Sequence, residues 1–410
     1  MILINSQFLK VAQDEIKMKM DARLSIFKRL NPRVKLIELD SGDVTRPLAS
    51  CVVSAMQKSV EEMATETTFK GRSPSEGYPF LIDSILKYNQ KERKLNISRD
   101  EIFINDGTKE ALASIGDILC QDNRIAVIDP VYQTFVEANV IANRAGRLDE
   151  TERWSHLVYL NCQKENDFMP DFPEDRPDVI FLCYPNNPTG CVMTKTLLEK
   201  WVKYALKNNS IILFDATYTS FIKDKNIPKS IYEIKGARKC CLEFRSFSKS
   251  AGFTGLHCGY TIIPKEIEGY SFVADKSEKL NKLWRRREEI MNNAPSYIVQ
   301  RGAEAIFTKQ GLESMQENID YYLENTRILK EALSEAGFKY WGGDNVPYIW
   351  VESPYDNSWK LFDRLLRECH IVSSPGERFG ANGQGFIRLS GFANQNKVIM
   401  ASVRIAEFEI

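Results

Sequence analysis

Between about residues 100 and 265, short β-branched and aromatic runs alternate with longer stretches whose apolar positions recur every three or four residues. EIFIND, RIAVID, DVIFLCY, SIILFD, CCLEF and GYTIIP read as strands. The stretches from Thr108 to Leu119 and from Lys195 to Leu206 read as helices that cover them. This alternation predicts an α/β fold with a mainly parallel sheet. Residues 276–291, KSEKLNKLWRRREEIM, read as one charged helix leading out of that unit, its basic run a solvated or interface face partly neutralised by glutamates. Further on, ESMQENIDYYLENTRILKEALSEAG is helical, and VPYIWV and GFIRLSGF read as strands. The expected organisation is an N-terminal segment, 1–45, packing on the small domain, a large domain, 46–295, and a small C-terminal α/β domain, 296–410.

A chain of 410 residues exceeds the size at which one core usually stops growing, which favours this division. Lysine plus arginine equals aspartate plus glutamate at 55 each, so no global basic field invites nucleic acid or an acidic membrane. The expected partner is a small molecule. The start of the chain lacks the apolar core of a signal peptide and no later segment is apolar for long enough to cross a bilayer, so a soluble, cytoplasmic protein is expected. The nine cysteines lack Cys-x-x-Cys spacing, and His156, His257 and His370 lie far apart, so no metal is expected.

In open parallel sheets ligands bind at the carboxyl ends of the strands. Four strand ends here carry unusual residues: Asn105 to Lys109, Cys183 to Gly190, Phe214 to Tyr218 and Ser246 to Lys249. Singly, each has a plain structural reading as a turn, a helix start, a cap or a solvated lysine. Their order and spacing within one alternating unit shift the weight toward chemistry.

Together these segments resemble the fold-type I aminotransferases, which use pyridoxal 5'-phosphate. By that resemblance Lys249 matches the lysine that holds the cofactor aldehyde as an imine and then serves as acid and base. Asp215 matches the aspartate facing the pyridine nitrogen. Tyr218 and Asn187 match the groups that hydrogen-bond the phenolic oxygen. Thr108 and Lys109, opening a helix after Gly107, match the phosphate turn, with Ser246 and Ser248 adding hydroxyls. Tyr132 matches the aromatic residue stacked on the cofactor ring, and Arg388 the arginine that grips the substrate α-carboxylate. An arginine within an apolar strand also needs a partner on physical grounds, since an unpaired buried charge is costly.

GDVTRPL, EGYPFL, EIFINDGTK, DPVYQTFVEANVIA, CYPNNPTG, EFRSFSKSAGFTG, YIVQRGAEA and PYIWV extend the resemblance, over nearly the whole chain, to the LL-diaminopimelate aminotransferases. It implies amino transfer between LL-2,6-diaminopimelate and 2-oxoglutarate, on the route to lysine and cell-wall precursors. It also implies a homodimer with shared active sites, Asn293 or its neighbour Asn292 being lent to the other subunit, and substrate contacts from Gly42, Lys109, Tyr132 and Asn187. Three departures fall at ligand-contacting places. His257 stands where the family has a phosphate-clamping arginine, Arg72 where a tyrosine reaches the phosphate across the dimer, and Glu15 where a tyrosine lines the substrate pocket. Arg72 is expected to replace the charge lost at His257. Glu15 directs attention to a basic amino acid as substrate, and Ser41, before Gly42, departs from the usual apolar residue. Two alternatives stay open: a pyridoxal-phosphate enzyme of specialised metabolism catalysing elimination, cyclisation or oxidation of a basic amino acid, and a non-catalytic protein keeping the fold. Retention of Lys249, Asp215, Tyr218, Asn187 and Arg388 weighs against the latter.

Overall fold

Seven strands form the larger sheet of the computed structural model, which describes residues 2–11, 14–151 and 153–410. They are β1 (Ile102–Asn105), β2 (Ile125–Asp129), β3 (Leu157–Asn161), β4 (Val179–Cys183), β5 (Ile211–Asp215), β6 (Cys241–Ser246) and β7 (Gly259–Ile262), in spatial order β1-β7-β6-β5-β4-β2-β3. Strands β2 to β6 run parallel, and β7 runs against its neighbours β6 and β1. All residues of β1, β2, β4 and β7 are buried, the signature of a sheet covered on both faces. The helix Lys195–Asn208 shows how the cover is built: Leu198, Trp201, Val202 and Ala205 form its buried stripe, and the Thr194 side chain caps its first turn.

Two expectations need correction. Strand β3 was not among the sequence candidates, although Leu157 to Leu160 are all apolar or aromatic; it is the edge strand of the sheet, with Val158 and Tyr159 half-buried. The charged helix is shorter than 276–291. Lys276–Lys279 pairs antiparallel with Glu268–Ser271 as a hairpin, and the helix is Leu280–Met291. KSEK has no apolar stripe to hold a helix against the core, whereas Lys279 sits directly opposite Glu268 and pairs with it at 2.6 Å.

A second, antiparallel sheet comprises β8 (Tyr340–Gly342), β9 (Tyr348–Glu352), β10 (Ser374–Pro375) and β11 (Phe386–Ser390), in order β8-β9-β11-β10. Ile387 and Leu389 of β11 enter its core with Leu329, Leu333 and Val398 from the helices Lys309–Glu335 and Gln395–Ala406. The two-residue period of a strand therefore turns Arg388 to the opposite face, toward the larger sheet. The helix Glu15–Leu30 buries Met20 and Phe27 against Phe362, Leu366 and Val372, and Ile37–Glu38 pairs in parallel with Ile371–Val372. Earlier still, Asn5 and Gln7 hydrogen-bond to Ile141 and Asn143 of the larger body. Among the described residues no helix is long and apolar enough to cross a membrane, and no cluster of three metal-ligating side chains occurs.

Candidate active site

Register brings the chemistry together. Cys183 at the end of β4 lies beside Asp215 at the end of β5, and Gly259, the first residue of the reversed strand β7, sits between Asn105 and Ser246. A side chain at Gly259 would stand 2.3 Å from the Arg245 carbonyl oxygen and 2.9 Å from Gly107 Cα, so only glycine lets these strand ends converge. The carboxyl ends of β1, β4, β5 and β6 thus open into one cleft of about 890 Å³, which Arg388 and residues of the turn Gly376–Phe379 also line.

Lys249 Nζ donates to the Gly42 carbonyl oxygen at 2.7 Å. Burial lowers its pKa from 10.5 to about 8, aided by the charge of Arg388 and opposed by Asp43. Gly42 has no room for a side chain, because a Cβ there would lie 2.4 Å from the Tyr348 hydroxyl. That hydroxyl is 2.9 Å from the Tyr218 hydroxyl, and burial holds both phenols protonated by raising their pKa values.

Asp215 is buried at the cleft floor. Its Oδ1 accepts from the Thr217 backbone N–H at 3.0 Å and the Thr217 hydroxyl at 2.6 Å. Among the described residues Oδ2 has only the Cys183 thiol, at 3.8 Å, and so remains open to a stronger donor. Burial raises the pKa of Asp215 while the Thr217 bonds oppose the rise. A cationic N–H brought to Oδ2 would relieve this desolvation.

Arg388 is 5% exposed, its guanidinium 4.5 Å from the Tyr348 ring centroid and 4.8 Å from that of Phe379. Nη1 donates to Asn187 Oδ1 at 2.7 Å and Nη2 to the Asp40 carbonyl, while Nε is buried without a partner among the described residues. A buried cation with an unused donor is poised for an anion. Since Asn187 spends its oxygen on Arg388, its NH₂ group is left for a ligand.

At the other end, Gly107 has φ +102° and turns the chain from β1 into the helix Thr108–Ser114. Gly107 N donates to Asn105 Oδ1 at 2.9 Å, the Thr108 and Thr217 hydroxyls are 2.9 Å apart, and Ser248 N donates to Ser246 Oγ at 3.1 Å. Lys109, Tyr132 and His257 line the same cleft. His257 partly offsets the burial that raises the pKa of Asp106. Glu15 lies at the mouth with its side chain 75% exposed and Lys19 Nζ 3.9 Å away.

Arg72, Asn292 and Asn293 do not line this cleft. They lie close to one another instead: Arg72 Nε donates to Asn293 Oδ1, and Asn292 Nδ2 to Glu288 Oε2 at 3.2 Å. Sequence reasoning missed Thr217, Tyr348, Phe379, Asp40 and the pair Asp14 and Arg378. Thr217 had a local signal, a hydroxyl residue two positions after an aspartate. Tyr348, inside the apolar run PYIWV, reads as core until its hydroxyl is placed.

An amine with a lowered pKa, a buried carboxylate and a buried arginine share one cleft, on a sheet of this topology, and together suit chemistry on amino acids. The Aminotransferase class I and II family model matches residues 34–401, and the chain belongs to that family. It is an aminotransferase, of a family whose members depend on pyridoxal phosphate. It is similar to the LL-diaminopimelate aminotransferases of Bacteroides fragilis, 47% identical over 407 residues and 99% of each chain, and of Parabacteroides distasonis, 47% identical over 409 residues and the whole of both. The solved L,L-diaminopimelate aminotransferase of Chlamydomonas reinhardtii is 35% identical, with a TM-score of 0.89 over 99% of this chain and 98% of that one.

Proposed function

We propose that this enzyme binds pyridoxal 5'-phosphate in the cleft and transfers an amino group from LL-diaminopimelate, or a closely similar amino acid with a charged far end, to a 2-oxo acid such as 2-oxoglutarate. The observation that carries the reading is Lys249, an amine with a pKa near 8 in the same cleft as the open oxygen of Asp215 and the unpartnered Nε of Arg388. The donor set fits the cofactor. Asp215 Oδ2 would accept a ring N–H, and Tyr218 and Asn187 would donate to a phenolic oxygen. Thr108, Lys109, Ser246, Ser248 and His257 would hold the phosphate, and Tyr132 would cover the ring. Pyridoxal phosphate, when bound, supplies the electron sink that makes the α-proton of an amino acid acidic, and it carries the amino group between the two half-reactions.

The remaining work falls to side chains of this chain. Arg388 grips the α-carboxylate through its free Nε, fixing which bond of the α-carbon is presented to Lys249. Lys249 Nζ, about half neutral near pH 8, takes the α-proton and returns it. Asp215, ionised beside a cation, keeps the ring nitrogen protonated. Residues of the Arg72 and Asn293 neighbourhood would serve the second subunit of a homodimer, and Arg72 would there add the permanent charge that His257 lacks.

Full-length identity of 46–47% to diaminopimelate enzymes supports this donor, as does the mixed charge of the cleft lining, where Glu137 stands with Lys109. The far end of diaminopimelate bears both an ammonium and a carboxylate, and such a lining meets both. Cofactor-loaded protein mixed with single amino acids tests the reading. Diaminopimelate should convert the bound cofactor from its aldehyde to its amine form and 2-oxoglutarate should convert it back. Product formed while the cofactor stays in the aldehyde form would point instead to elimination, cyclisation or oxidation.

A further inference from the structure

The mouth of the cleft carries an ion pair that the chemistry above leaves unused. Asp14 and Arg378, 364 positions apart in the chain, both line the cleft, with Arg378 Nη2 3.2 Å from Asp14 Oδ2. Asp14 divides its oxygens between two tasks. Oδ1 accepts the Lys17 backbone N–H at 2.8 Å and caps the helix Glu15–Leu30, which leaves Oδ2 to the arginine. Arg378 belongs to the turn Gly376–Phe379, the turn that also sets Phe379 against the Arg388 guanidinium. One short segment therefore places a second guanidinium beside the one that takes the α-carboxylate. The two charges are near enough for Arg378 to add to the burial that lowers the Arg388 pKa. Burial raises the pKa values of Asp40 and Glu137, and the charge of Arg378 opposes that rise in both.

We propose that Arg378 is a second carboxylate-recognising residue of this cleft, held by Asp14 until the far carboxylate of a dicarboxylic substrate takes its place. The inference rests on reading the cleft as the substrate site. Three features favour exchange. The pair is weak, because the side chains are 33% and 44% exposed. Asp14 engages Nη2 alone, whereas a substrate carboxylate can take two guanidinium N–H groups at once. Release costs the helix nothing, since its cap uses the other oxygen of Asp14. The consequence is selectivity by charge count: Arg388 accepts any α-carboxylate, and Arg378 rewards the amino or oxo acid that carries a second one.

Calorimetric binding of glutarate and butyrate to the cofactor-loaded enzyme tests this, since neither has an amino group to transfer. The wild type should prefer glutarate by roughly tenfold or more, the size of a charge-assisted contact. Arg378→Gln should erase that preference while butyrate binding stays unchanged, and Arg378→Lys should restore part of it. Asp14→Asn keeps the helix cap, because asparagine caps as well as aspartate, and should tighten glutarate severalfold by removing its competitor. Equal binding of the two acids by the wild type, equal losses for both in Arg378→Gln, or weaker glutarate binding in Asp14→Asn would each overturn the proposal. Failure of the wild type to transfer an amino group from any amino acid would instead sink the reading on which it rests.

Discussion

At the floor of the cleft, Asp215, Tyr218 and Arg388 are buried on strands or strand ends with named partners, whereas at its mouth Glu15, Asp14 and Arg378 stand at helix and turn ends with a third or more of each side chain exposed. Charge at the floor acts in a medium of low polarity and shifts pKa values; charge at the mouth is screened and exchangeable. The contrast teaches where each part of the function resides. The floor sets the kind of reaction, and the mouth sets which molecule undergoes it.

Substitutions should follow that division in order of size. Lys249→Ala removes the amine that takes the α-proton and should lower turnover by about 10⁴-fold, with exogenous amines restoring a fraction; turnover within tenfold of wild type would move the chemistry elsewhere. Arg388→Gln, which deletes a buried cation from under the carboxylate, should cost about 10²–10³-fold in kcat/KM, chiefly through KM. A loss in kcat alone would mean that Arg388 organises the fold rather than the substrate.

Arg72→Tyr tests whether a neighbouring subunit completes the floor. It should weaken cofactor retention by roughly tenfold, as loss of one charged phosphate contact does, and unchanged retention on dialysis would break the link between Arg72 and His257. Burial disfavours the Lys249 ammonium and places its pKa near 8, so cofactor capture by the apoenzyme should fall as pH drops below that value and level off above it. Capture still rising at pH 10 would show an unshifted lysine. Smallest of all, Glu15→Gln should change kcat/KM by no more than about threefold, because the carboxylate is mostly solvated. A tenfold effect would bring Glu15 into contact with substrate and erase the contrast between floor and mouth.

The same contrast explains what could be read from the sequence. Asp215 follows the apolar run IILF directly and so announces itself by position, and the alternation of runs and helices carried the sheet. Strand β3 escaped although Leu157 to Leu160 form an unbroken apolar run. The 276–279 hairpin arm escaped because its stabilisation is a cross-strand charge pair whose partner lies eleven residues upstream. Asp14 and Arg378 could not be paired in advance: they meet only because the N-terminal helix packs on Phe362, Leu366 and Val372, which settles the helix start beside the turn Gly376–Phe379. Tyr348 and Phe379 had no polar neighbours in sequence to mark them; only the folded sheet shows that they clasp the Arg388 guanidinium.

The central claim is that Lys249, Asp215 and Arg388 form one catalytic floor serving an amino acid with a charged far end. Single-turnover absorbance of the cofactor-loaded protein tests it most directly, with LL-diaminopimelate as donor and 2-oxoglutarate as acceptor, in the wild type and in Asp215→Asn. The wild type should pass from the aldehyde to the amine form of the cofactor and back, leaving one equivalent of glutamate, and Asp215→Asn should slow the first passage by about 10²–10³-fold. Equal rates in the two proteins, or a wild type that leaves the cofactor in its aldehyde form with every amino acid offered, would contradict the account.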